Sequence, residues 1–89
     1  MNGRAVVTVV GKDEIGILAR AATACADANA NILEVTQSVM DDLFTMIMII
    51  DMAAVTITVE ELQQSIASSV PTMEVRVMHE NIFSSMHTI

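Results

Sequence analysis

The stretch Ile32-Leu33-Glu34-Val35-Thr36-Gln37-Ser38-Val39-Met40-Asp41-Asp42-Leu43-Phe44-Thr45-Met46-Ile47-Met48-Ile49-Ile50-Asp51-Met52 decides the fold. Asp41-Asp42 is a turn signal only two residues long. The runs Ile32 to Met40 and Leu43 to Met52 must therefore return on each other as a hairpin. In the first run Leu33, Val35 and Val39 share one face, and Glu34, Thr36 and Ser38 the other. In the second, Phe44, Met46, Met48 and Ile50 point one way and Leu43, Ile47 and Ile49 the opposite way. A strand apolar on both faces belongs in the middle of a sheet or beneath a partner.

Upstream, Arg4 to Val10 is β-branched and ends at Gly11, which predicts a strand. Lys12-Asp13-Glu14 is a polar loop, with Asp13 the expected N-cap of a helix and Glu14 in its first turn. Ile15, Leu18, Ala19, Ala22 and Ala26 follow at helical spacing, with Cys25 beside them. Asn29-Ala30-Asn31 marks the helix end and turn. Downstream, Thr58-Val59-Glu60-Glu61 carries the S/T-x-x-E capping box, and Val59, Leu62, Ile66 and Val70 form the apolar stripe of a second helix. Pro71 closes it. Met73, Val75 and Val77 alternate with Glu74 and Arg76 in a last strand. The tail, residues 80–89, has apolar residues at Ile82, Phe83 and Met86 and suits a short helix.

The order strand, helix, strand, strand, helix, strand predicts an α+β, ferredoxin-like β-α-β-β-α-β fold. It is a four-stranded antiparallel sheet with two helices on one face, plus a short C-terminal helical tail. The opposite face has no helix left to cover it. With 89 residues the chain has room for one domain, 1–89.

Composition narrows the function. The chain is 53% hydrophobic and 17% charged, with a mean hydropathy of +0.56, which excludes intrinsic disorder. Its apolar runs are broken by Thr or Asp before they reach the roughly 20 residues of a membrane span. The start Met1-Asn2-Gly3-Arg4 lacks the features of a signal peptide, and a cytoplasmic location is expected. Four basic against eleven acidic residues give a net charge of −7, and Arg4, Lys12, Arg20 and Arg76 are scattered. Without a basic cluster, a Trp or a Tyr, direct nucleic-acid binding is not expected. Cys25 is the only cysteine and lies in an Ala-rich run, so it reads as a buried, inert thiol. A small domain this apolar is expected to hide part of its surface in a partner.

Catalytic chemistry finds little to work with. Cys25 has no histidine near it in sequence, and there is no Gly-x-Ser-x-Gly elbow. A single cysteine cannot supply the thiolate pair of a soft-metal carrier. His79, Glu80 and His87 are the weak candidates for a metal or acid-base cluster; a surface or packing role is the expected reading for them, and no cofactor is expected.

Gly11-Lys12-Asp13-Glu14-Ile15-Gly16-Ile17-Leu18, followed by Asn31-Ile32-Leu33, resembles the ACT domain family. Gln37-Ser38-Val39-Met40, Phe44-Thr45-Met46 and His79-Glu80-Asn81-Ile82-Phe83 resemble its single-domain bacterial and archaeal members, relatives of the glycine-cleavage-system transcriptional repressor. The resemblance covers essentially the whole chain. It implies a non-catalytic regulatory domain that dimerises, or forms a higher homo-oligomer, and binds a small ligand such as an amino acid near the interface. It further implies that Asp13 and Asn31 make polar ligand contacts, that Gly16 allows a close helix start, and that backbone groups around Ile15, Ile17 and Leu18 line the site. Output would then pass through another, unknown protein. The alternative is a structural protein-interaction module without a small-molecule ligand.

Overall fold

The protein is described by a computed structural model covering residues 3–86. Seven elements follow in chain order: β1 (Arg4–Lys12), α1 (Ile17–Asp27), β2 (Asn31–Met40), β3 (Leu43–Asp51), α2 (Val59–Ser69), β4 (Glu74–His79) and α3 (Glu80–Met86). The strands form one antiparallel sheet in the order β2-β3-β1-β4. This is the ferredoxin-like arrangement expected, with a short C-terminal helix.

β3 shows why the hairpin decides the fold. Phe44, Met46, Met48 and Ile50 are all buried beneath the helices, together with Ala5, Val7 and Val9 of β1 and Val75 and Val77 of β4. Leu62 and Ile66 of α2 close this layer, each worth about 1.5–3 kcal/mol on burial. The capping box of α2 is complete. The Glu61 amide donates to Thr58 Oγ1 at 3.1 Å, and the Thr58 amide donates to Glu61 Oε1 at 2.9 Å.

Three expectations need correction. Asp13 does not cap α1: the helix starts at Ile17, and Gly16 is its N-cap with no side-chain cap bond. The Asp13 amide is instead used by the Asp42 carbonyl, at 2.8 Å, which pulls that residue toward the β2–β3 turn. The later start also rotates the buried stripe. It runs through Ile17, Ala21 and Cys25, while Ile15 lies in the loop, 98% exposed. Leu33, expected to share a face with Val35, sits at a register shift between Ile32 and Glu34 and is 47% exposed. Ile32, paired with Ile50, takes the inward position, because a bulge inserts one residue and resets the alternation.

The face opposite the helices is open only in part. α3 packs against β1 and β4 at the end of the sheet where Val6 lies, and Val6 is 3% exposed. The rest of that face remains uncovered: Val10, Leu43, Ile47 and, at its corner, Met40 are exposed.

Candidate functional site

The first loop is built to leave the start of α1 free. Gly16 adopts φ 85°, ψ 12°, a left-handed conformation natural to glycine. A Cβ on Gly16 would meet nothing nearer than Arg20 Nε at 3.8 Å. Its backbone freedom, rather than close packing, is therefore what this position uses. The first helical bond runs from the Arg20 amide to the Gly16 carbonyl at 3.0 Å, so the amides of Ile17, Leu18 and Ala19 have no partner within the helix.

The loop itself is held from two sides. Arg20 donates from Nε to the Gly16 carbonyl at 3.3 Å and from a terminal nitrogen to the Ile15 carbonyl at 3.0 Å. Its guanidinium also lies 3.9 Å from Glu14. Thr72 Oγ1, just before β4, donates to Glu14 Oε1 at 2.7 Å.

A cavity of about 460 Å³ opens beside this helix start. Asp13, Gly16, Ile17 and Leu18 form one wall, and Gln37, Ser38 and Val39 of β2 with Phe44 of β3 the other. Four of the residues expected from the sequence are thus brought together. Ile15 is not among them, because its side chain points to solvent. Asn31 is also apart. It begins β2 opposite Asp51, six residues from Gln37, or about 20 Å along an extended strand.

Gln37 is the wall residue that sequence reasoning passed over. It occupies the helix-facing side of β2, in register with Met46, between Val35 opposite Met48 and Val39 opposite Phe44. A polar side chain interrupting that apolar series was the available signal. Its amide can both donate and accept beside the free helix amides.

A larger cleft of about 780 Å³ runs between α1 and α2, lined largely by short side chains such as Ala19, Thr23, Ser65 and Ser69. Its hydroxyls are partly spent on their own helices: Thr23 Oγ1 donates to the Ala19 carbonyl at 2.9 Å and Ser69 Oγ to the Ile66 carbonyl at 2.6 Å. The helix-start cavity offers unspent donors and is the better candidate site.

Elsewhere the chemistry is quiet. Burial pushes the Cys25 thiol up from the ordinary 9.0 to about 11, so it stays protonated. Among the described residues no three His, Cys, Asp or Glu side chains gather as a metal site. Glu80 is paired with Arg4, His79 Nδ1 accepts from the Asn81 amide at 3.4 Å, and His87 lies outside the described residues. No helix of the described residues is long and apolar enough to cross a membrane.

A β-α-β-β-α-β domain with a glycine-started helix beside a small cavity defines a recognisable class, and comparison with known proteins agrees. The ACT domain model matches residues 4–80, and the chain belongs to that family. A UPF0237 protein of Listeria monocytogenes is 38% identical over 88 residues, covering 97% of this chain and 99% of the relative. The solved ACT domain protein of Streptococcus pneumoniae superposes with a TM-score of 0.78 at 24% identity, covering 100% of this chain and 99% of that one. A solved structure provisionally assigned as a glycine cleavage system transcriptional repressor gives a TM-score of 0.63 at 18% identity, over 88% of this chain and 46% of that one.

Proposed function

We propose that the protein is a non-catalytic regulatory module that dimerises through the β2 edge and binds an amino acid at the start of α1. The observation that carries the reading is the cavity joining the free amides of Ile17, Leu18 and Ala19 to Gln37 and Asp13. Free N–H groups at a helix start suit a carboxylate, and Asp13 suits an ammonium group. At about 460 Å³ the cavity lies within the usual range for small-molecule sites.

Dimerisation completes the site. The two edges of the sheet are not equivalent. On the β4 edge the Val77 amide donates to Gln63 Oε1 of α2 at 2.9 Å, so that edge is partly closed by its own chain. Because the Val77 amide points away from β1, alternation across the sheet turns the backbone amides and carbonyls of Val35, Gln37 and Val39 toward the free edge of β2. β2 is exposed or half-buried along its whole length. The bulge at Leu33 spoils one end, leaving the regular stretch from Glu34 to Met40, whose middle residue is Gln37. Antiparallel pairing of two copies about Gln37 carries Asn31 of each toward the partner's β2–β3 turn, to which Asp13 is bonded. This gives Asn31, remote within one chain, a route to the site.

The test is a thermal-shift screen of the twenty amino acids with sedimentation of the same sample. A ligand at one hundred times its dissociation constant stabilises the fold by about 2.7 kcal/mol. In a domain of this size each kcal/mol raises the melting temperature by roughly 4–8 °C. A dimer with no shift from any amino acid at millimolar concentration favours the purely structural module instead.

A further inference from the structure

We infer that Arg20 is a positioning residue of the helix-start site: its guanidinium grips two peptide groups from behind, so that the amides of Gly16 and Ile17 face the cavity. This rests on the amino-acid site proposed above, in which Arg20 itself touches no ligand.

One side chain holds two carbonyls. Arg20 Nε donates to the Gly16 carbonyl at 3.3 Å, and a terminal nitrogen donates to the Ile15 carbonyl at 3.0 Å. The Gly16 carbonyl also accepts the Arg20 amide at 3.0 Å, so the helix fixes the Gly16–Ile17 peptide by itself. The Ile15–Gly16 peptide lies before the helix, and the guanidinium is what holds its carbonyl.

Planarity turns this grip into a direction. Both peptides are trans, so each N–H points opposite to its C=O. The two sides of the loop face different spaces. Arg20 lines the cleft between α1 and α2, whereas Gly16, Ile17 and Leu18 line the cavity beside β2. Carbonyls drawn toward the cleft leave the amides of Gly16 and Ile17 directed at the cavity. Gly16, at φ 85° and ψ 12°, is a left-handed residue followed by right-handed, helical Ile17. Successive amides in such a pair converge on one concavity that suits an anion. Arg20 thereby adds the Gly16 amide to those of Ile17, Leu18 and Ala19.

Charge and shape both matter here. The guanidinium lies 3.9 Å from Glu14, which also borders the cavity, and so offsets a carboxylate that would oppose an incoming one. Lysine would keep that attraction. Its ammonium is a point charge, however, and lacks the planar fork that spans two carbonyls.

The test uses ¹⁵N-labelled wild type, Arg20→Lys and Arg20→Met. The Arg20 side chain is 45% exposed, so the three are expected to melt within a few degrees of one another. Without ligand, the Gly16 amide order parameter is expected near about 0.85 in wild type and below about 0.6 in both variants. Ala22, inside α1, is expected to stay rigid in all three. Sodium acetate, exchanged for chloride at constant ionic strength, is the carboxylate probe. It is expected to shift the amides of Gly16, Ile17 and Leu18 in wild type. Both variants are expected to bind it about tenfold or more weakly, the loss of one hydrogen bond to a charged group. A Gly16 that stays ordered in Arg20→Met overturns the clamp, and an Arg20→Lys protein equal to wild type in both measurements overturns the fork. Acetate bound equally by all three overturns a part for Arg20 in the site. Acetate that shifts no wild-type amide, with Gly16 loosened in both variants, overturns the carboxylate site and leaves the clamp standing.

Discussion

Thr72 Oγ1 donates to Glu14 Oε1 at 2.7 Å, joining the loop before α1 to the segment before β4 across 58 residues of chain. Both ends are exposed, so the bond contributes near the lower end of the usual range, about 0.5–1.5 kcal/mol. Its larger effect is to hold the cavity wall in place. Thr72→Val and Glu14→Gln should each cost under about 1 kcal/mol in urea unfolding. A double-mutant cycle should give a coupling of about 0.5 kcal/mol or more. A coupling of zero would mean the loop is fixed by Arg20 and by the Asp13–Asp42 backbone bond without this contact.

Two glycines predict different failures. Gly16→Ala meets no obstacle but must hold φ 85°, which should cost about 1–2 kcal/mol and disturb the start of α1. Gly11→Ala would place its Cβ 2.6 Å from Met73 Sδ and 3.1 Å from the Thr72 carbonyl. That cost is steric, so adding Met73→Ala should recover part of the Gly11→Ala loss beyond its own cavity cost. The same second substitution should recover nothing from Gly16→Ala. Chemical unfolding of the five variants against wild type distinguishes the two mechanisms.

Cys25 sets a pH dependence. Its folded value of about 11 lies above the ordinary 9.0, because burial disfavours the thiolate. Between these values the unfolded chain loses the proton and the folded chain keeps it, so this contribution to stability is intact below pH 9 and declines as pH rises toward 11. Subtracting the profile of Cys25→Ala from that of wild type should isolate the decline. N-ethylmaleimide should label Cys25 far more slowly in buffer than in urea, and equal rates would contradict its burial.

Gln37→Pro separates the edge from the fold. The Gln37 amide faces away from β3, so proline there removes a donor at the centre of the proposed pairing without removing a bond of the β2–β3 ladder. The variant should keep its circular dichroism and lose its edge dimer in sedimentation. Unchanged assembly would place the dimer contact elsewhere.

Much of this architecture is legible in the sequence, and the exceptions are instructive. The capping box at Thr58 and Glu61 is a local rule satisfied locally. The two-residue turn at Asp41-Asp42 and the four inward residues of β3 follow from spacing alone. The start of α1 departs from its sequence pattern because Asp13 has the right chemistry for a cap, but its amide is bonded to Asp42, a residue distant in sequence. Leu33 departs from strand alternation because a bulge is a property of the strand pair, invisible in one strand's pattern. At the site, Asp13, Gly16, Ile17 and Leu18 are contiguous enough to be found by pattern. Gln37 comes from another strand, and Asn31 reaches the loop only in the proposed dimer.

Amide chemical shifts report whether the backbone at the start of α1 receives an amino acid. The ¹⁵N-labelled protein is titrated with each of the twenty amino acids at millimolar concentration. At least one is expected to move the amides of Ile17, Leu18 and Ala19 and the side-chain amide of Gln37, saturably, and Asn31→Ala is expected to weaken the binding. Spectra in which these signals stay fixed for all twenty, or in which the shifts fall in the cleft between α1 and α2, would contradict it.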